Sequence, residues 1–492
     1  MKMKKIILSL WACLCLWAVR AEDVIQVVPF KAEPGMTTDD MACFSVKMNN
    51  TNIYWAFQLD FLLPDGMVLD DTGGLNPFEL NLDRFPHSSR GGIVTFKHGV
   101  AWNKLSNGWY RVVVSPNDAT RIEGTEGEIM KVYSLTSPDM KPGLYPIYVK
   151  GTVLTITGTS DVKPGPSASY FTIGESPLAT EPVLDLSSLT GYWPSWVVEQ
   201  MNEEMQANER LVEVDMTGTD SIGAELKLPN PNAFCYVKAE CGLPETEEGN
   251  AWNCVRTDGT SCSCPDVTLD EDYPFGLSRA VEAGNVTYRR NPFTADWNTL
   301  CLPFALSEQA VTETFGDGAG LYRFDGLRDG LLCFSPAGDG EANTPYLLYV
   351  AEKADAGELV FPDVSLSPMS SVPEVADGGA RFLGNYDGYV SATGYYGVTP
   401  DARIALAGES ATIRGFKAFF DLSEVANANA LRMHIDWGEE TGISEAKDTP
   451  SLRVDVYTLD GVCVRRQVAR SEACEGLSKG IYIIGKQKVI VK

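Results

Sequence analysis

The feature that most constrains this chain is how its apolar residues are parcelled. They come in short runs, many alternating with polar residues, and glycine, proline or asparagine stops each run after a few positions. Pro34-Gly35, Asn49-Asn50, Pro64-Asp65-Gly66, Asn107-Gly108 and Pro142-Gly143 all fall between such runs. A chain cut this finely has little room for long helices, whereas paired strands need only a few residues between turns. The spacing predicts strands over 24–28, 42–48, 54–63, 93–96, 109–114, 129–135, 143–149 and 152–156, which suits a two-sheet sandwich. The fold class expected is mainly β and multidomain: jelly-roll-type β-sandwiches, a short α/β solenoid-like insert and a small C-terminal β-sandwich.

The ends differ from the middle. Residues 1–5 carry three lysines, 6–17 are apolar apart from Ser9, and Val19-Arg20-Ala21 offers small residues for cleavage, so 1–21 reads as a signal peptide. No later segment reaches the roughly 18 apolar residues that a membrane helix needs, and the mature chain is expected without a transmembrane segment. The signal carries four basic and no acidic residues, so its loss takes the formal charge from -26 to -30. Such a field repels phosphate and excludes nucleic acid as a natural partner.

The predicted domains are 22–176, a β-sandwich; 184–272, a short cysteine-rich subdomain; 273–437, a second β-sandwich; and 451–492. Residues 179–182 read as a linker. Beyond it, Leu184-Asp185-Leu186-Ser187 and Val214-Asp215-Met216-Thr217 repeat one pattern thirty residues apart. Pro194 opens a helix between them, with Val197, Val198, Met201 and Met205 on its inner face. Strand, helix, strand at that period resembles one turn of a leucine-rich-type solenoid. In 273–437 one helix, over 307–315, interrupts the strands, and Gly316-Asp317-Gly318 ends it.

Of the cysteines after residue 21, Cys43, Cys301 and Cys333 sit between apolar neighbours and are read as buried packing. Cys235, Cys241, Cys254, Cys262 and Cys264 crowd into thirty residues among turn and acidic residues, and disulfides are the expectation outside a cell. Cys463 and Cys474 could staple the C-terminal module. Zinc is the alternative for the first cluster, but no histidine lies near it and its C-x7-C-x-C spacing fits no common ligand set.

Three stretches resemble known families. Val454-Asp455-Val456-Tyr457-Thr458-Leu459-Asp460-Gly461, then Gly476-Leu477-Ser478-Lys479-Gly480-Ile481-Tyr482-Ile483 and the basic end, resemble the C-terminal sorting domain of Bacteroidetes proteins exported by type IX secretion. That likeness implies passage through the Sec pathway, then across the outer membrane, to a secreted or cell-surface location, with the export machinery as a partner. Pro34-Gly35, Val46-x-Met48-Asn49-Asn50 and Ala56-Phe57-Gln58-Leu59-Asp60-Phe61-x-Leu63-Pro64-Asp65-Gly66 resemble the cohesin-type or carbohydrate-binding sandwiches of surface proteins. Trp297-x-Thr299-Leu300-Cys301-Leu302-Pro303-Phe304 resembles a sandwich module of gut and oral Bacteroidetes that lends no activity.

Chemistry is scarce. Three histidines, His87, His98 and His434, stand beside no nucleophile motif, and no G-x-S-x-G occurs. The chain is therefore read as no enzyme, without a cofactor or metal. Asp270-Glu271-Asp272 and 317–320 are candidates for calcium, although neither fits the twelve-residue loop. Aromatic residues beside amides suit a glycan site, because sugars present apolar C–H faces. Trp102 with Asn103, Trp109 with Asn107, and Tyr386, Tyr389, Tyr395 and Tyr396 with Asn385 are the candidates. The function expected is non-catalytic binding of a glycan or a surface protein. The alternative is a secreted glycoside hydrolase, which requires two carboxylates about 5–10 Å apart.

Overall fold

Residues 23–156, 160–244, 253–352 and 357–436 are described by a computed structural model, together with 453–458, 461–469, 473–474, 476–484 and 487–491 near the C-terminus. The expected signal peptide lies outside these residues. The chain divides into two units, Met1–Ile435 and Asp436–Lys492.

The first unit opens with β1 (Val24–Val27), β2 (Phe30–Ala32), β3 (Cys43–Asn49), β4 (Ala56–Leu62), β5 (Met67–Leu69) and β6 (Phe78–Leu80). A hairpin of β7 (His87–Arg90) and β8 (Ile93–Phe96) follows, then β9 (His98–Lys104), β10 (Tyr110–Pro116), β11 (Glu128–Thr136), β12 (Gly143–Ile156), β13 (Ser160–Val162) and β14 (Ser167–Ile173). Two sheets result, one ordered β1-β3-β11-β5 and one running β14-β12-β4-β10-β9. Alternation along each strand sends Phe44, Met48, Phe57, Leu59, Val112 and Met130 into one core. Cys43 precedes Phe44, so the same alternation exposes it, and the expectation that it packs inside is corrected. The two strands expected over 143–149 and 152–156 are one, because a bulge between Lys150 and Val153 absorbs the irregularity without breaking the strand.

Next come α1 (Pro177–Thr180), β15 (Val183–Asp185), β16 (Gly191–Trp193), α2 (Ser195–Met205), β17 (Glu213–Asp215), β18 (Thr219–Ile222), β19 (Phe234–Lys238) and β20 (Asn253–Thr257). Part of the expected linker is thus helical, with Leu178 buried. Val197, Val198, Met201 and Met205 of α2 are fully buried, each such side chain contributing about 1.5–3 kcal/mol. The thirty-residue repeat becomes a parallel ladder in which Asp185 pairs with Asp215 and Asp215 with Tyr236.

After β21 (Cys262–Asp270) and β22 (Val281–Arg289) come β23 (Asp296–Leu300), α3 (Glu308–Phe315), β24 (Gly320–Arg328), β25 (Leu331–Pro336), β26 (Tyr346–Val350) and β27 (Glu358–Leu366). Then follow β28 (Glu374–Asp377), β29 (Ala380–Gly384), β30 (Val390–Ser391), β31 (Tyr396–Val398), β32 (Ile404–Leu406), β33 (Thr412–Ile413), β34 (Ala418–Asp421) and β35 (Arg432–Ile435). Ser307 caps α3 by accepting the Ala310 amide at 3.1 Å. Sheets β23-β26-β24-β25-β35 and β28-β29-β34-β31-β32 share the core of Trp297, Phe324, Phe334, Phe382 and Phe420.

The boundaries expected at residues 176 and 272 are both crossed by sheets. β16 and β18 add parallel strands to the edge of β14, and one sheet runs β15-β17-β19-β20-β21-β22-β27. An unpaired strand edge is a row of unsatisfied amides and carbonyls, and the next segment satisfies it. The second unit is a four-stranded sheet, β37 (Cys463–Ala469), β36 (Arg453–Thr458), β38 (Gly480–Ile484) and β39 (Gln487–Val491) in that order, around Val454, Val456, Tyr482 and Ile484. Among the described residues no helix is long and apolar enough to cross a membrane.

Candidate functional site

One face of the sheet β14-β12-β4-β10-β9 lies on the sandwich core, and the other is covered over only part of its width. At the β14 end Ala168 and Tyr170 pack with Trp193, Val197, Val198 and Met201 under α2. At the β9 end Ala101, Asn103 and Lys150 are exposed. There the ladders align two rows across four strands: Asn103, Arg111, Asp60 and Lys150, then Ala101, Val113, Gln58 and Val153. The bulge in β12 makes both rows possible. Lys150 and Val153 are three apart and would face opposite ways in a regular strand, but the extra residue restores the parity and Thr152 turns inside.

Trp109 belongs to this outer face, two residues before Arg111, with the Lys150 ammonium 3.7 Å from its ring centroid. Asp60 is 8% exposed and receives Arg111 through two bonds, Nε to Oδ1 at 2.7 Å and Nη2 to Oδ2 at 2.8 Å. Gly151, in the left-handed region at φ 59°, passes close to Asp60: a Cβ there would lie 3.2 Å from Oδ2.

Trp102 pairs with Val112 and so faces the other way. It is half-buried against Phe78 and Tyr110, at ring separations of 6.2 and 6.3 Å, while Asn103 is exposed. Trp102 and Trp109 therefore lie on opposite sides of one sheet and form no common platform. Of the tyrosines, Tyr386 is buried, donates to Asn343 Oδ1 at 3.0 Å and packs on Phe275 and Phe416. It is a core residue rather than an exposed platform. Tyr389 is exposed, with the Arg414 guanidinium 5.2 Å from its centroid. Tyr395 and Tyr396 are half-buried and line a cavity of about 380 Å³.

The ten cysteines of the described residues are all free thiols, including the disulfide candidates Cys235, Cys241, Cys254, Cys262, Cys264, Cys463 and Cys474. The five clustered ones divide between cores: Cys235, Cys241 and Cys254 pack with α2, Cys262 and Cys264 on the other side of the sheet. Burial pushes the Cys241 thiol up to about 11 and the Cys264 thiol to about 12. His98 is buried, its Nε2 3.1 Å from the Trp55 carbonyl, and burial holds its pKa below the usual histidine value. His87 and His434 are exposed on separate sheets. Among the described residues no group of three or more His, Cys, Asp or Glu could hold a metal ion.

No protein-family model matches the chain, and no curated protein matches it. Solved structures do. A non-cellulosomal cohesin from Archaeoglobus fulgidus is 14% identical, with a TM-score of 0.24, over 31% of this chain and 92% of that one. The cohesin module of a Clostridium perfringens family 33 glycoside hydrolase is 13% identical, with a TM-score of 0.22, over 31% and 96%. A type I cohesin–dockerin complex from Clostridium thermocellum is matched at 12% identity, with a TM-score of 0.23, over 31% and 97%.

Sequence reasoning reached Trp109 but not its setting. Asp60, Arg111 and Lys150 come from three strands, and only the ladder register brings them together. The signal that could have found them is Asp60 itself, a charge inside the apolar run Ala56–Leu62.

Proposed function

We propose that this is a non-catalytic exported protein, secreted or held at a cell surface, that docks a partner protein on the bare half of its first sandwich. The observation that carries the reading is the row Asn103, Arg111, Asp60 and Lys150 beside Trp109 on an uncovered sheet face. Tryptophan and arginine are the side chains that concentrate binding energy in protein interfaces, and a flat face suits a protein better than a small molecule. A glycan would stack on the indole, but the Lys150 ammonium already lies over that ring. Export rests on the signal-like N-terminus and on the resemblance of the 451–492 sequence to the sorting-domain pattern.

The test sets surface-protein pull-down beside a glycan array, with the mature chain and Trp109→Ala. The reading expects a protein partner whose capture weakens about tenfold or more in the variant, as hot-spot truncation does, and no release of reducing sugar from polysaccharides. Sugar release would favour the hydrolase. Capture of a protein partner that Trp109→Ala leaves unchanged would remove the docking face from the account.

A further inference from the structure

The second sandwich carries a cavity that its packing does not explain. Tyr395 and Phe419 meet edge to face at 4.7 Å on its wall. Phe420 points into the core, so alternation along β34 turns Phe419 outward. Two cations, Arg414 and Lys417, line the same cavity. They flank a tight turn at Gly415-Phe416, where Phe416 is wholly buried and left-handed at φ 58°. The Gly415 amide donates to the Glu271 carbonyl at 2.7 Å, and a Cβ on Gly415 would lie 3.1 Å from that oxygen. A bulky residue held in this conformation is strained, and such strain persists only where the surroundings impose it.

The charges beneath the turn form a buried network. Glu271, with its side chain 3% exposed, receives the Asn291 amide at 2.8 Å and faces the Lys417 ammonium at 3.4 Å and Arg414 at 3.9 Å. Asp272 pairs with Arg414. A third cation, Arg290, is 7% exposed, stacks on Phe293 at 3.6 Å, and has a buried Nη1 with no hydrogen-bond partner. Burial and the nearby Arg290 together lower the Lys417 pKa. Burial, with Asp272 and Glu271 nearby, raises the Asp270 pKa, and this third carboxylate evens the count against the three cations.

We propose that this cavity binds an acidic sugar unit, the ring lying on Tyr395 and Phe419 and its carboxylate or sulfate meeting Arg414 and Lys417. An aromatic wall suits the apolar face of a pyranose, and the two lining cations favour the charged sugar over the neutral one. The site is on a different sheet from the proposed docking face and does not depend on it.

The experiment titrates the mature chain at low salt, by calorimetry, with D-glucuronate, D-glucose 6-sulfate, D-glucose and sodium sulfate. One or both acidic sugars should bind, and the one that binds names the anion. Glucose should not bind, and sulfate alone should bind about tenfold more weakly or less. Tyr395→Ala and Arg414→Gln should each weaken the acidic sugar about tenfold, the loss of one charge-assisted bond for the arginine. Thermal unfolding checks both variants, and Arg414→Gln, at a partly exposed position, decides the matter if Tyr395→Ala does not fold. Absence of binding by both acidic sugars, sulfate binding as tight as theirs, or binding unchanged by the folded variants would each overturn the proposal.

Discussion

Asp60 and Arg111 sit opposite each other in the β4–β10 ladder, the nearly buried carboxylate gripped at both oxygens by a guanidinium that is 43% exposed. The asymmetry in burial decides what each deletion costs. Arg111→Leu strands the Asp60 carboxylate, and leaving a buried charge short of partners costs about 1–3 kcal/mol. Asp60→Asn leaves a solvated arginine and should cost less than half of that. Urea unfolding measures both, and equal losses would show that the pair does not hold the face in the way described.

The parallel ladder through Asp185 and Asp215 is tight at the turn that follows it. A Cβ on Gly218 would collide with the Ser187 carbonyl. Gly218→Ala should therefore destabilise the protein by about 1–3 kcal/mol or more, the cost of overpacking. Gly165→Ala, where a Cβ meets nothing within 4 Å, serves as the control and should leave the melting temperature nearly unchanged.

Acid should loosen the same ladder. Burial raises the Asp215 pKa, but the Thr217 hydroxyl and amide and the Arg279 guanidinium outweigh it and leave the carboxyl below its usual value. A lowered folded pKa contributes stability above the unfolded carboxylate range, near pH 4, and that stability disappears as pH falls through the folded value. Asp215→Asn should accordingly lose less stability than the wild type between about pH 5 and pH 2. Parallel curves for the two proteins would remove Asp215 from the acid response.

Thiol reactivity should follow exposure rather than position in the sequence. Burial raises the Cys301 and Cys264 thiols to about 12, while Cys43 and Cys474 are exposed. Iodoacetamide at about pH 8, near the ordinary thiol pKa, should label Cys43 and Cys474 first and Cys301 only on unfolding. Early labelling of Cys301 would contradict its placement in the core.

Local pattern was legible in the sequence, and long-range register was not. The inner face of α2, the Ser307 start of α3 and the thirty-residue repeat depend on residues a few positions apart or on one period. Cys43 was misread because apolar neighbours say little about parity, whereas the alternation of Phe44, Val46 and Met48 inward fixes it. Tyr386 was misread because Asn385 beside it suggested a polar site. Asn385 is itself buried and donates to the Gly388 carbonyl at 2.7 Å. The cavity cations come from one turn, but Glu271, Asp272 and Arg290, which give them meaning, lie more than a hundred residues away.

The central claim is that the uncovered half of the first sandwich touches a partner, and photo-cross-linking tests it most directly. A photoreactive side chain at Val113, between Gln58 and Ala101 in the ladder, is compared with one at Val183, an exposed residue of β15. The account predicts one discrete cross-linked partner from Val113, lost in a Trp109→Ala background, and none from Val183. The same products from both positions, or none from Val113 on cells that display the protein, would contradict it.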